Sequence, residues 1–188
     1  MAHLQVALPA TQASETPSLV TPNLARYTAR LEVGDLTVKH PVIRTVTLAP
    51  LSLSEFAEMP PSDACGFFAK LQDASGPVSD VQFWLSETHS RLHLENMSVR
   101  PGFQQQGVGS AALTALEQLC DGLELRLMTL EAVTADGIRL WQRHGFKLRD
   151  PLKVQRDLEE ARDRCPGATL ETLARDGGLS FEKQFSSR

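Results

Sequence analysis

Val99-Arg100-Pro101-Gly102-Phe103-Gln104-Gln105-Gln106-Gly107-Val108-Gly109-Ser110 decides how this chain is read: an apolar-alternating segment runs into it and a helix-forming one leaves it. Pro101 and Gly102 stop a strand, and the glycines at 107 and 109 let backbone approach a ligand where a side chain would collide. Residues 111–119, AALTALEQL, are mostly strong helix formers. Strand, glycine turn and helix start therefore converge. The free N–H groups of a helix start, at the positive end of its dipole, suit a phosphate or pyrophosphate. Each charge-assisted bond there is worth roughly 1.5 to 3 kcal/mol.

Upstream, residues 27–33 and 36–40 flank Gly34-Asp35 and read as a hairpin. Residues 42–48 alternate imperfectly as a strand. Residues 52–58 open a short helix capped by Ser52 or Ser54, which Pro60-Pro61 ends. Residues 66–72 and 78–86 form a second hairpin around Asp73-Ala74-Ser75-Gly76-Pro77, and residues 91–99 follow a tight turn. Downstream, residues 110–120 are helix, 123–130 a strand with Leu123, Leu125 and Leu127 on one face, and 134–144 a helix closed by Gly145. Residues 146–148 start a strand, 154–164 and 170–175 are helices, and 179–185 alternate as a closing strand. The order predicts a mixed α/β sheet rather than a doubly wound one. Residues 1–22 read as a flexible leader and residues 23–188 as one domain.

The net charge of −4 and pI near 5.7 argue against a general nucleic-acid binder and lean toward a cationic substrate. Cys65, Cys120 and Cys165 are far apart with no CxxC pair, so neither a disulfide framework nor a zinc or other metal site is expected. They read as reduced thiols in a cytoplasmic protein, and no apolar run reaches membrane-spanning length. The closing strand offers an edge through which a homodimer could pair.

Gln104-x-x-Gly107-x-Gly109 after a strand and a proline, followed by Leu140-Trp141-Gln142-Arg143-His144-Gly145-Phe146, resembles the GNAT superfamily of acyl-CoA N-acyltransferases. The first piece is similar to that family's [Gln/Arg]-x-x-Gly-x-[Gly/Ala] pyrophosphate signature, the second to its Leu-Tyr-x-x-x-Gly-Phe helix end. The resemblance covers roughly residues 42–148 and the final strand. It implies a GNAT-like fold, acetyl-CoA as cosubstrate and an amine as acceptor. Main-chain groups of Met97 and Val99 would run beside the pantetheine arm, where the family parts two parallel strands. The segment Gln104, Gln105, Gln106, Gly107, Val108, Gly109 and Ser110 would bind the pyrophosphate, with Thr134 and Trp141 also on the cofactor side. Where the family often has Asn, Ala and Tyr, this chain has Thr134, Gly137 and Trp141. Tryptophan offers only an N–H donor, so the family's tyrosine acid has no titrating counterpart.

A lysine-like amine, with a pKa near 10.4, is mostly charged at neutral pH and must lose a proton before attacking a thioester. His93 and Glu95 lie two apart on the strand entering the glycine turn, so both face one way and are the candidate bases. Each also has a structural reading, His93 as a strand residue and Glu95 as a paired carboxylate. His144 reads as complementing a helix dipole, and Glu131 as a strand-end carboxylate facing the cleft. Gly107-x-Gly109-x-x-Ala112 also fits a dinucleotide fingerprint, but antiparallel strands precede it, and no P-loop lysine follows. Beside an N-acetyltransferase stand a non-enzymatic acyl-CoA-binding or protein-interaction module and, disfavoured by the acidic charge, a toxin acylating aminoacyl-tRNA.

Overall fold

The computed structural model describes residues 36, 38–57 and 59–186. The leader and the first arm of the hairpin expected at 27–40 lie outside them. Residues 38–40 of the second arm run as irregular chain rather than as a strand.

Seven strands form one sheet in the order β1-β2-β3-β4-β5-β7-β6. Strands β1 (Thr45–Leu51), β2 (Cys65–Gln72), β3 (Pro77–Ser86) and β4 (Arg91–Val99) make an antiparallel run, as the turn signals imply. Strand β5 (Leu127–Ala132) then pairs parallel to β4. Strand β7 (Leu179–Gln184) inserts antiparallel between β5 and β6 (Lys147–Leu148). The parallel pair needs a crossover, which helix α1 (Val108–Gly122) supplies. Helices α2 (Ala135–Arg143), α3 (Pro151–Arg164) and α4 (Leu170–Gly177) follow. This is the mixed α/β sheet expected from sequence. Where a helix was expected over 52–58, a single 3-10 turn, Leu53–Glu55, forms with a capping box on Ser52.

Helix α1 buries Val108, Ala112, Leu113, Ala115, Leu116, Leu119 and Cys120, a stripe at helical spacing. These join one core with Leu92 and Leu94 of β4, Met128 and Leu130 of β5, and Phe181 of β7. Each fully buried leucine contributes roughly 1.5–3 kcal/mol of transfer free energy. Beyond the last turn Lys183 Nζ meets Glu117 Oε1 at 2.9 Å, and His144 Nδ1 meets the same oxygen at 3.3 Å. His144 thus caps α2 and ties it to α1 and β7.

Strand β5 corrects the expectation for residues 123–130. Glu124 has a left-handed φ of 56°, residues 123–126 form the exit turn of α1, and the strand starts only at Leu127. The buried apolar set is Met128, Leu130 and Ala132, opposite in phase to the leucines that suggested the strand, with Thr129 buried on the other face. Leu125 packs under the turn instead. An apolar residue every second position looked like strand alternation while belonging partly to a turn.

A second, smaller cluster of Phe56, Ala64 and Trp84 lies where the 52–64 segment folds over the sheet. Gly66 makes this approach feasible, since a Cβ there would sit 2.5 Å from the Leu51 carbonyl oxygen and 2.6 Å from the Phe56 ring. The segment is latched by Asp63, whose carboxylate accepts bonds from the Ser86 hydroxyl at 2.8 Å and the Thr88 N–H at 3.2 Å.

Candidate active site at the parting of β4 and β5

The ladder between β4 and β5 ends at the pair Leu94↔Leu130. Past it β4 stays on β3 as far as Val99↔Ser79, while β5 stays on β7 through Glu131↔Ser180 and Ala132↔Leu179. Two strands held by different neighbours therefore diverge and leave an opening. At that point β4 carries one residue more than β3: Phe83 pairs with Leu94 and Gln82 with Asn96, so Glu95 is the extra residue of a bulge. The bulge reverses the side-chain phase. Leu92 and Leu94 face the core before it, and Met97 and Val99 pack against the core after it.

The main chain beyond the bulge follows the same logic. The Ser98 carbonyl accepts from Ser79 Oγ at 2.8 Å, and the Arg100 N–H donates to Val78 O at 2.9 Å, both toward β3. Alternation turns the main-chain groups of Met97 and Val99 to the opposite edge, into the opening. One of them is already engaged: the Gln104 side-chain amide donates to Val99 O at 3.0 Å.

The glycine turn closes the far end of the opening. Gln105 and Gly107 are both left-handed, with φ of 61° and 83°, and Gly107 is the N-cap of α1 without a side chain to bond its first amides. The first intrahelical bond is from Ala111 N to Gly107 O at 2.9 Å. Around the turn, carbonyls are tied off by side chains: Gln104 on Val99, Gln106 Nε2 on Gly102 O at 2.8 Å, and His40 Nε2 on Gln106 O at 2.8 Å. Carbonyls are drawn away and the amides of residues 107–110 are left to an outside acceptor, which fits an anion at the helix start. Gln104 and Gln106 shape this loop with their side chains, and Gln105 is exposed.

Gly109 is the second glycine of the signature. A Cβ on it would point inward, 3.5 Å from Met97 Cε, 3.6 Å from Leu140 Cδ2 and 3.8 Å from Val99 Cγ2. These are ordinary van der Waals contacts, so a methyl group fits on the inward side of Gly109.

On the sheet face opposite α1, the candidate bases come together. His93 is buried, with Nδ1 2.9 Å from Thr129 Oγ1 and Nε2 3.5 Å from Glu95 Oε2. Its ring stacks on Trp84, centroids 5.1 Å apart, and the Arg91 guanidinium covers the same indole at 4.6 Å. Glu95 Oε1 accepts the Ala57 N–H at 2.9 Å, so the carboxylate is held from the 52–64 segment as well. Thr129 and Ala57 were not singled out from sequence. Thr129 reaches His93 through the parallel register, and Ala57 reaches Glu95 across a loop crossing; neither leaves a local signal.

Thr134 caps α2, its Oγ1 accepting the Gly137 N–H at 3.1 Å. Trp141 is buried edge-on to Phe146, and its indole N–H has no hydrogen-bond partner among the described residues. A Cβ on Gly137 would lie 3.0 Å from Thr134 Oγ1 and 3.3 Å from Trp141 Nε1. The small residue at 137 and the large one at 141 therefore accommodate each other. Glu131 is exposed at the end of β5, its Oε1 accepting from Ser180 Oγ at 3.3 Å. Among the described residues no group of His, Cys, Asp and Glu is arranged to hold a metal ion, and no helix is long and apolar enough to cross a membrane.

An antiparallel run, a parted parallel pair and an uncapped helix start define an α/β protein with an opening between two strands and helix-start amides suited to an anion. Residues 44–146 match the model of the Acetyltransferase (GNAT) family. The chain belongs to that family, which makes it an acyltransferase and a coenzyme A binder, with acetyl-CoA the donor its family uses. Among solved structures it is similar to the PaiA N-acetyltransferase of Thermoplasma acidophilum in complex with coenzyme A, at 12% identity and a TM-score of 0.46. That alignment covers 64% of this chain and 61% of the other. It is also similar to the ribosomal-protein-S18-alanine N-acetyltransferase of Escherichia coli, at 17% identity and TM-score 0.46, covering 76% and 95%. A GNAT-family acetyltransferase of Staphylococcus aureus aligns at 13% identity and TM-score 0.46, covering 64% and 68%. No curated protein matches the sequence.

Proposed function

We propose that this chain transfers an acetyl group from acetyl-CoA to a primary amine by direct attack in a ternary complex, with the Glu95–His93 pair removing the amine's proton. The observation that carries the reading is the bulge at Glu95, which sets that pair beside the point where β4 leaves β5. The amides of residues 107–110 receive the pyrophosphate, and the main-chain groups of Met97 with the Val99 N–H line the path between it and the pair, the Val99 carbonyl being held by Gln104.

The roles within the pair are read from one donor arrangement. With the Thr129 hydroxyl donating to His93 Nδ1, His93 Nε2–H is turned to Glu95 Oε2, and the Ala57 N–H holds Oε1. Glu95 is then the proton acceptor and His93 the group that fixes its carboxylate. The amine nitrogen loses a proton to Glu95 as its C–N bond forms, the C–S bond breaks, and the departing thiolate takes a proton from solvent. Trp141 supplies a hydrogen bond at most, since an indole does not titrate. Orienting both substrates lowers the barrier by up to roughly 7 to 11 kcal/mol, so the absence of an acid is tolerable. Cys120 is no candidate for a covalent route: burial, then the nearby Asp121 and Glu117, pushes its thiol up to about 12.

The acidic net charge favours a cationic acceptor over nucleic acid. Thiol release with acetyl-CoA and a panel of amines tests the reading. Turnover that disappears in Glu95→Gln while coenzyme A still binds is expected. Tight coenzyme A binding with no turnover for any amine overturns it in favour of a non-enzymatic acyl-CoA-binding module.

A further inference from the structure

We infer that His40, which precedes the stretch matched by the family model, is a positioning residue for the pyrophosphate cradle: it locks the peptide between Gln106 and Gly107 with the Gly107 N–H turned toward the anion. The inference rests on the reading of the glycine turn as the coenzyme A site.

His40 Nε2 lies 2.8 Å from Gln106 O, and the Val42 N–H lies 3.3 Å from His40 Nδ1. A carbonyl can only accept and an amide N–H can only donate. The ring therefore carries its proton on Nε2, and both nitrogens are used in one orientation. The segment bringing His40 to the turn arrives from 66 positions away in the sequence, and a Cβ on Gly107 would sit 3.6 Å from Nε2. His40 thus lies directly over the turn.

The consequence follows from peptide geometry. No cis peptide is present among the described residues, so the Gln106 C=O and the Gly107 N–H, which share one peptide plane, point in opposite directions. Holding the carbonyl toward His40 holds the amide away from it. This plane is the one in the turn most able to rotate, because Gly107 adopts positive and negative φ with similar ease. It also sits beside the left-handed Gln105, a conformation side chains rarely adopt. Rotation would present a carbonyl dipole, in place of an N–H, to a doubly negative group. The other braces, Gln104 on Val99 and Gln106 Nε2 on Gly102, hold the 99–100 and 102–103 planes and leave the 106–107 plane to His40.

The experiment compares binding of coenzyme A and of pantetheine, which lacks the pyrophosphate, to the full chain and to His40→Ala and His40→Gln. His40→Ala is expected to weaken coenzyme A about tenfold, the scale of one hydrogen bond that orders a charged contact, with less than a twofold change for pantetheine. His40→Gln, whose side-chain N–H can still reach the carbonyl, is expected to recover most of the loss. Coenzyme A affinity unchanged in His40→Ala, equal weakening of both ligands, or no recovery in His40→Gln overturns the role of His40. Failure of the wild-type chain to bind coenzyme A overturns instead the assignment of the turn as its site.

Discussion

The Glu95 carboxylate reaches His93 Nε2 at 3.5 Å at the one position where β4 carries a residue that β3 does not pair. A regular strand would also set these residues on one face. The bulge adds a local bend and a change of phase, so that core packing continues on Met97 and Val99 while the acid stays at the mouth. Strand irregularity and the proposed proton acceptor coincide in a single residue.

Removing the charge at that residue separates chemistry from binding. Glu95→Gln keeps the acceptor for the Ala57 N–H but loses the basic oxygen. The turnover number is expected to fall on the order of 10²- to 10⁴-fold, the usual worth of a general base, with coenzyme A affinity little changed. Steady-state thiol release and calorimetry on the same variant check it.

Thr129→Val tests how His93 is held. The change removes the partner of Nδ1 at 2.9 Å and leaves a buried ring nitrogen unsatisfied, which costs roughly 1–3 kcal/mol. Thermal denaturation should show that loss, and the turnover number should fall with it.

The two glycines of the signature should respond in opposite ways. Gly107→Ala forces a side chain into a φ of 83° and should cost roughly 1–2 kcal/mol. Gly109→Ala meets only ordinary contacts at 3.5–3.8 Å and gains up to about 1 kcal/mol of helix propensity. Chemical denaturation of the pair reads the difference directly.

Gly137→Ala should fail to stabilise α2 despite a similar propensity gain of about 1 kcal/mol. The added methyl would crowd Thr134 Oγ1 at 3.0 Å and Trp141 Nε1 at 3.3 Å. A melting temperature at or below wild type is expected, and Gly137→Ala with Trp141→Tyr should melt above the single variant.

Acid should loosen the 52–64 segment through Asp63. Burial raises its pKa, but the bonds from Ser86 and Thr88 together outweigh burial and hold it below the usual 3.8. Its contribution to stability is present above pH 3.8 and is lost as pH falls through the lower folded value. Asp63→Asn should flatten that part of the stability profile, measured by denaturation between pH 5 and about 2, the range over which such carboxylates protonate.

The strands β2, β3 and β4, the glycine turn and α1 were legible because each carries its own punctuation. Examples are Pro77 at the start of β3, Pro101 and Gly102 after β4, and the strong helix formers that fill most of Ala111 to Leu119 in α1. Strand β5 was misphased because Leu123, Leu125 and Leu127 alternate through a turn whose left-handed Glu124 leaves no mark in composition.

By itself the sequence determined the class of sheet, the anion-binding helix start and the candidacy of His93 and Glu95, since these depend on local periodicity and on residues near one another in the chain. Only the tertiary structure decided where β4 and β5 part, that Thr129 and Ala57 orient the candidate bases, and that His40 holds Gln106. Those relationships span 36, 38 and 66 positions of sequence, and such contacts arise from strand pairing and loop crossing, which no short window of residues encodes.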